Sequence, residues 1–522
     1  MHARESLANS HVLDMLLHCF FEGSVARHPD KVALIVGQHR WTWAQLQQQV
    51  DAVARALQDA GLNKGDRVAL FLDNQVEAVV GIFAVLKAGG VFMPINPLTK
   101  SDKLAYLLQD SQAKAFLTQG SLASTWRKAC EQAPTVQAVF VAGEASAPAL
   151  PLERPWPEVS ERQLRPQPVS LIDQDLAAII YTSGSTGDAK GVMLSHLNMV
   201  TACTSVSTYL GLKADDVICC ALPLAFDYGL YQVLMAARVG ATVMLERSFA
   251  FPVQVLKNMV QEGVTVFPGV PTMFVMLMNL SSLAQFELSR LRMITNTAAA
   301  LAEDHIRQLR SLFPQAQLFS MYGLTECKRV TYLPPEQLDV RPTSVGRGMP
   351  NEEVWLVDEQ GQRLPNGSTG ELVIRGSNVM RGYWRKPEQT AERLKPGPLP
   401  GEMVLYSGDL FRTDDEGYLY FVARKDDIIK SRGEKVSPKE VENVLLSMTA
   451  LYEVAVVGVH DAVLGESIKA FVVLKPGHEA TEREVIRHCM ERLESFMVPK
   501  HVVFLNELPK TDSGKIRKKG LA

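Results

Sequence analysis

LAAIIYTSGSTGDAKG, residues 176–191, runs from an apolar, strand-like segment into a loop packed with glycines, hydroxyl side chains and one lysine. Gly184 and Gly187 allow the backbone to turn its N–H groups toward anionic oxygens. Thr182, Ser183, Ser185 and Thr186 add hydroxyl donors, and Lys190 adds a positive charge. A loop of this chemistry on the end of a sheet strand suits a polyphosphate, although GSTGDAKG lacks the P-loop spacing. Taken alone, the same cluster also reads as a surface loop.

Working outward, helix-period segments such as TWAQLQQQVDAVARALQDAG alternate with short apolar strands such as RVALFLD, KAFLTQG and TVMLERS. That alternation predicts α/β layers with largely parallel sheets. Past residue 350 the texture changes to short strands and turns, a small β-rich subdomain. Beyond about residue 425 it changes again, to a compact unit of roughly 100 residues with strands and amphipathic helices. The expected fold class is therefore α/β: a large N-terminal domain of layered α/β subdomains plus a small β-rich subdomain, then a small, mobile α+β C-terminal domain. The boundary is placed after Arg424, giving domains 1–424 and 425–522. A length of 522 residues agrees with at least two domains, since one core stops growing at roughly 250–300.

Composition narrows the partners. A net charge of -3 gives no global pull toward nucleic acid or an anionic membrane. The seven cysteines never form a CxxC pair, which favours reduced thiols and argues against zinc. Cys219 and Cys220, in VICCALPL, read as a buried strand. The first residues lack the organisation of a signal peptide, and no apolar run reaches spanning length, so a cytoplasmic protein without integral membrane association is expected.

Four further segments follow the loop in order: MYGLTE (321–326), YSGD (406–409), ARKDDIIKSRGEKVSPKEVE (423–442) and PKTDSGKIRKKG (509–520). With the loop they resemble the adenylate-forming superfamily over essentially the whole chain. That superfamily includes AMP-forming acyl-CoA synthetases, luciferases and carrier-loading adenylation enzymes. The resemblance implies ATP and Mg2+, a carboxylic acid converted to acyl-AMP with release of pyrophosphate, and transfer to a thiol of CoA or of carrier-protein phosphopantetheine. It implies that Glu326 and Thr186 hold the metal, that Tyr322, Gly323 and Thr325 lie at the nucleotide, and that Asp409 and Arg424 bind the ribose. It implies Lys515 as the catalytic cation of adenylation, Asp426 as the hinge, and Lys430 with Gly433 at the thioester-forming face. A solvated carboxylate, a turn aspartate, a surface lysine and a basic tail remain the structural alternatives for Glu326, Asp409, Lys430 and Lys515.

The resemblance also implies the acid pocket at PLAFDYGLYQ (223–232), VFPGVPTMF (266–274) and ITNTAAAL (294–301), with Phe226, Asp227, Ala298 and Ala299 toward the acid. An aspartate in a largely apolar pocket is costly without a cation. Two readings stay open: Asp227 faces inward and takes the ammonium of an amino acid, or it turns outward and the acid is an uncharged acyl or aryl acid. Lys328 and Arg329 bring unusual positive charge to the same side, to pair an anionic group of the substrate, Asp227, or an acid elsewhere. The acceptor, CoA or a separate carrier protein, lies outside this chain.

Overall fold

The computed structural model describes residues 15–144, 150–158, 165–182, 189–297, 301–431, 434–461, 465–493, 495–511, 515–518 and 520–521. The expected site residues Ser183, Gly184, Ser185, Thr186, Gly187, Ala298, Ala299 and Gly433 lie outside these, as do the side chains of Asp426 and Lys430.

Periodicity finds its elements where the sequence places them. The helix Trp43–Asp59 buries Leu46, Val50, Val53 and Leu57 on one face and begins with a capping box, Thr42 and Gln45 each accepting the other's backbone N–H. The runs RVALF, AFLTQ and TVML are the strands Arg67–Phe71, Ala115–Gln119 and Thr242–Leu245. Their near-continuous burial belongs to strands covered on both faces. Cys219 and Cys220 sit in the strand Val217–Cys220, fully buried and unbridged.

Two large sheets form most of the chain. One has nine strands, in the order 347–348, 331–333, 317–322, 293–296, 266–269, 217–220, 242–245, 32–36, 39–42. Its pairings are parallel from 317–322 through 32–36 and antiparallel at both edges. The other has eight strands, in the order 382–383, 190–195, 176–182, 91–94, 67–71, 115–119, 138–142, 153–155. Helices fill the space between them, and one apolar core joins the two; there Phe21 stacks on Phe83 at 4.6 Å and meets Trp43 edge-on.

The β-rich segment is an antiparallel sheet of the strands Glu352–Val357, Thr369–Gly376, Leu394–Pro396, Met403–Thr413 and Leu419–Arg424. A fourth, five-stranded sheet carries the C-terminal region, with the helices Pro438–Leu446 and Glu482–Met490 packed on its core. Arg424 ends the last strand of the third sheet and Ile429 begins the fourth. Between them Lys425 bonds to Glu371 at 3.0 Å, and Ser437 donates to the carbonyl of Val422. No helix among the described residues is long and apolar enough to cross a membrane.

Candidate active site

Tyr322 ends one strand of the nine-stranded sheet, and Asp227 follows another, Val217–Cys220. Strand Gln317–Tyr322 delivers Tyr322 and the turn that follows it, 323–329. Tyr322 donates its hydroxyl to Asp409 Oδ2 at 2.6 Å. Asp409 lies opposite Arg424 in the pairing of 403–413 with 419–424, and Arg424 Nε approaches Oδ1 to 3.3 Å. Oδ1 itself is buried without a hydrogen-bond partner. Burial raises the Asp409 carboxyl above its ordinary value, and Arg424 and Tyr322 only partly oppose this. Asp409 is thus a costly buried acceptor with one oxygen unpaired. It is presented by Gly408, whose φ of 72° suits glycine and whose N–H bonds to Glu371.

Glu326 sits in the turn after Tyr322, half-buried, and accepts the Tyr383 hydroxyl on Oε1 at 2.6 Å. Tyr383 was not singled out from sequence, because nothing in RGYW signals its contacts. The strand Gly382–Tyr383 adds to the edge strand Lys190–Ser195, and the Met380 N–H bonds to the Glu326 carbonyl at 2.7 Å. The segment therefore stitches the root of the glycine-rich loop to the turn that carries Glu326. Lys190 stands over the Tyr383 ring at 5.4 Å, and Thr182 bonds the Lys190 carbonyl at 3.5 Å. Replacing Tyr383 by Phe removes a charge-assisted bond, so turnover is expected to fall about 10-fold. The magnesium concentration at half-maximal rate should rise with it. A lower Tm with unchanged magnesium dependence would reduce Tyr383 to a packing residue.

Gly323 has no room for a side chain. A Cβ there would stand 2.1 Å from the Lys328 carbonyl oxygen and 2.9 Å from Arg329 Cα. Gly323→Ala must push backbone against backbone, at a cost of about 1–3 kcal/mol. A lower melting temperature together with lost acid activation is the expected readout. Thr325 is half-buried beside it.

Asp227 opens the helix Asp227–Val239, and Phe226, just before it, bonds its N–H to the Pro223 carbonyl. The carboxylate faces inward with an internal partner: Lys328 Nζ reaches Asp227 Oδ1 at 2.8 Å. Of the partners the sequence leaves open for this charge, Lys328 takes Asp227, so the chain supplies an ammonium to the inward carboxylate itself. Burial lowers the Lys328 ammonium against the pull of Asp227.

Lys515 comes from the far end of the chain. Its N–H bonds to Thr511 Oγ1 at 3.2 Å, and its carbonyl accepts the Thr511 N–H at 2.7 Å. Residue 515 as a whole is exposed, whereas its ammonium end is crowded by protein. Burial and then the charge of Arg424 lower its ammonium, against Asp409, Asp227 and Glu326, which hold it up. The structure thus gathers Lys515, Arg424, Asp409, Glu326 and Asp227 within one electrostatic neighbourhood. The profile of the AMP-binding enzyme family matches residues 21–384, and that of its C-terminal domain matches residues 440–515.

The chain belongs to the AMP-binding enzyme family, within the adenylate-forming superfamily. A long-chain-fatty-acid–CoA ligase of Escherichia coli O6:H1 is 32% identical to it, over 96% of this chain and 93% of that protein. Tyrocidine synthase 1 of Brevibacillus parabrevis is 29% identical over 97% of this chain, which matches 44% of that longer protein. The crystal structure of an anthranilate CoA ligase in complex with anthranoyl-AMP superposes with a TM-score of 0.86 at 26% identity, covering 97% of this chain and 96% of that one. The two-part architecture is therefore that of the family, with Lys515 at the end of the matched C-terminal domain.

Proposed function

We propose that this enzyme uses ATP to activate a carboxylic acid as acyl-AMP and passes the acyl group to the thiol of CoA. The observation that carries the reading is that Lys515, from the far end of the chain, lies within electrostatic reach of Asp409, Asp227 and Glu326. The three N-terminal sheets offer binding groups and the small domain offers the cation.

In the first half-reaction a carboxylate oxygen attacks the α-phosphorus of ATP, the bond to the bridging oxygen breaks, and pyrophosphate leaves. Asp409 accepts the ribose hydroxyls on Oδ1, the atom buried without a partner, while Tyr322 fixes Oδ2. Arg424 adds a donor to the same sugar. Lys515 brings positive charge to the oxygens on which negative charge develops, and such groups act most strongly where water is excluded. Lys190, at the root of the glycine-rich loop, balances the outer phosphates together with Thr182 and the loop residues 183–187. The donor set fits magnesium, which takes one or two protein oxygens beside phosphate and water: Tyr383 occupies one oxygen of Glu326, and the other is available to the ion, with Thr186 as the second ligand. When bound, magnesium supplies charge neutralisation of the phosphates.

In the second half-reaction the thiol sulfur attacks the acyl carbon, the thiol proton is lost, and AMP leaves. A turn about Asp426, between the third and fourth sheets, presents Lys430 and Gly433 in place of Lys515. Similarity to a CoA ligase over nearly the full length supports CoA as acceptor. A carrier-bound phosphopantetheine offers the same thiol and is the competing result of the same assay.

The test is acid-dependent pyrophosphate release from ATP, followed by thioester analysis with CoA or a charged carrier. Release with a subset of acids, and acyl-CoA among the products, is expected. No release across broad acyl, aryl and amino-acid panels would overturn the reading.

A further inference from the structure

Two cations follow Glu326 in the turn, and both are buried, Lys328 to 2% and Arg329 to 5% exposure. Lys328 adopts a φ of 73°, a left-handed backbone that is costly for a long side chain. That conformation aims its ammonium at Asp227, and the carboxylate is received at the N-terminus of its helix, where negative charge is favoured. The neighbouring Tyr228 is locked by its hydroxyl at 2.6 Å from the carbonyl of Thr295, on the strand Met293–Asn296. Arg329 covers the face of the Tyr228 ring at 4.6 Å. Among the described residues no carboxylate pairs with Arg329, and its Nε is buried without a partner. One carboxylate and two cations thus meet at the start of this helix, and Lys515 feels the charge of that carboxylate.

The consequence for a ligand is a matter of charge. An acid that carries an ammonium beside its carboxyl would find Asp227 already neutralised and would meet uncompensated positive charge on Arg329. Like charges in a partly dry pocket repel strongly, and the ammonium would lose its water without gaining a partner. An acid with hydrogen, or an acceptor group, at that position has no such difficulty.

We propose that Lys328 is a specificity-determining residue: its ammonium, clamped on Asp227, fills the place of a substrate amine, so that the enzyme activates carboxylic acids that lack one and rejects amino acids. This rests on the reading of the candidate site as acid-activating, and it sets the substrate class for that site. Lys328 does not touch the reacting atoms; it acts through the charge balance of the pocket.

The experiment uses the full chain with ATP, magnesium and matched acids that differ only in the amine: propionate and alanine, 4-methylpentanoate and leucine, 3-phenylpropionate and phenylalanine. The wild type is expected to release pyrophosphate with the amine-free member of an accepted pair at least about 100-fold more efficiently. Lys328→Met exposes Asp227 and is expected to narrow that ratio by about 10-fold or more, through the efficiency with the amino acid. Adding Asp227→Asn to Lys328→Met removes both charges and should restore the preference. A wild-type preference for the amino acid, or an unchanged ratio in a folded Lys328→Met, overturns the proposal. If Lys328→Met does not fold, Asp227→Asn decides, since an unpaired Lys328 should sharpen rejection; a relaxed ratio there overturns it. If no acid supports pyrophosphate release, the ligase reading fails. The pocket is then read by thermal shift with the same pairs: stabilisation by the amine-free acid supports the charge argument, and stabilisation by the amino acid, or by neither, refutes it.

Discussion

Lys515→Ala is expected to lower acid-dependent pyrophosphate release by about 10²–10³-fold, the scale of losing a charge placed where a transition state becomes anionic. Thioester formation from supplied acyl-AMP should be spared, because the second half-reaction does not need this ammonium at the phosphorus. The split separates a catalytic cation from a structural one. Among the described residues, Thr511 holds the backbone of residue 515 by paired hydrogen bonds, so removing the side chain leaves that anchor in place. Burst and single-turnover measurements of both half-reactions test this. Equal loss in the two would contradict the assignment.

Asp409→Asn should trade binding for stability. The Asp409 carboxyl is raised above its ordinary value, with burial as the largest cause, so ionising it costs the folded protein more than the unfolded chain. A group of this kind favours folding below its unfolded value and gives that advantage up as pH rises through its folded value. Near neutral pH the ionised aspartate therefore works against the fold, and the neutral isostere removes the cost. A Tm higher by roughly 1–3 °C is expected for the nucleotide-free variant at pH 7. The difference should disappear below about pH 4, where the aspartate itself is protonated. ATP, by contrast, loses a charged acceptor for its ribose, and its KM should rise about 10–100-fold. A variant that is both less stable and unimpaired with ATP would show that Asp409 serves the third sheet rather than the nucleotide.

The extent to which the sequence spoke for this architecture differs from element to element. Period and punctuation located Trp43–Asp59 and the strands at 67–71 and 115–119, because helix and strand periods are local properties of a chain. The two-part division and the segments carrying Tyr322, Glu326, Asp409 and Lys515 were legible through five motifs in order. Pairings were not. Lys328 and Asp227 are 101 residues apart, and the bond between them depends on a left-handed turn that no local rule assigns to a lysine. The sequence offered several partners for this charge and the fold selected one. Tyr383 was invisible for a similar reason: its value lies in a two-residue edge strand beside Lys190–Ser195, too short to leave a pattern.

The tight turn of residues 323–329 places two tasks on one short stretch of backbone. Glu326 and Lys328 are two residues apart, and Gly323 packs against the very carbonyl that separates Lys328 from Arg329. Under the proposed roles evolution has little freedom there, since an exchange that retunes the choice of acid also shifts Glu326. At the head of the facing helix Asp227 is paired with Lys328, Tyr228 is bound to Thr295, and a Cβ on Gly229 would stand 2.3 Å from the Pro223 carbonyl oxygen, which leaves the half-buried Phe226 as the freer position. New substrate ranges in descendants of this protein should therefore arise first at Phe226, with the turn handed down nearly unaltered.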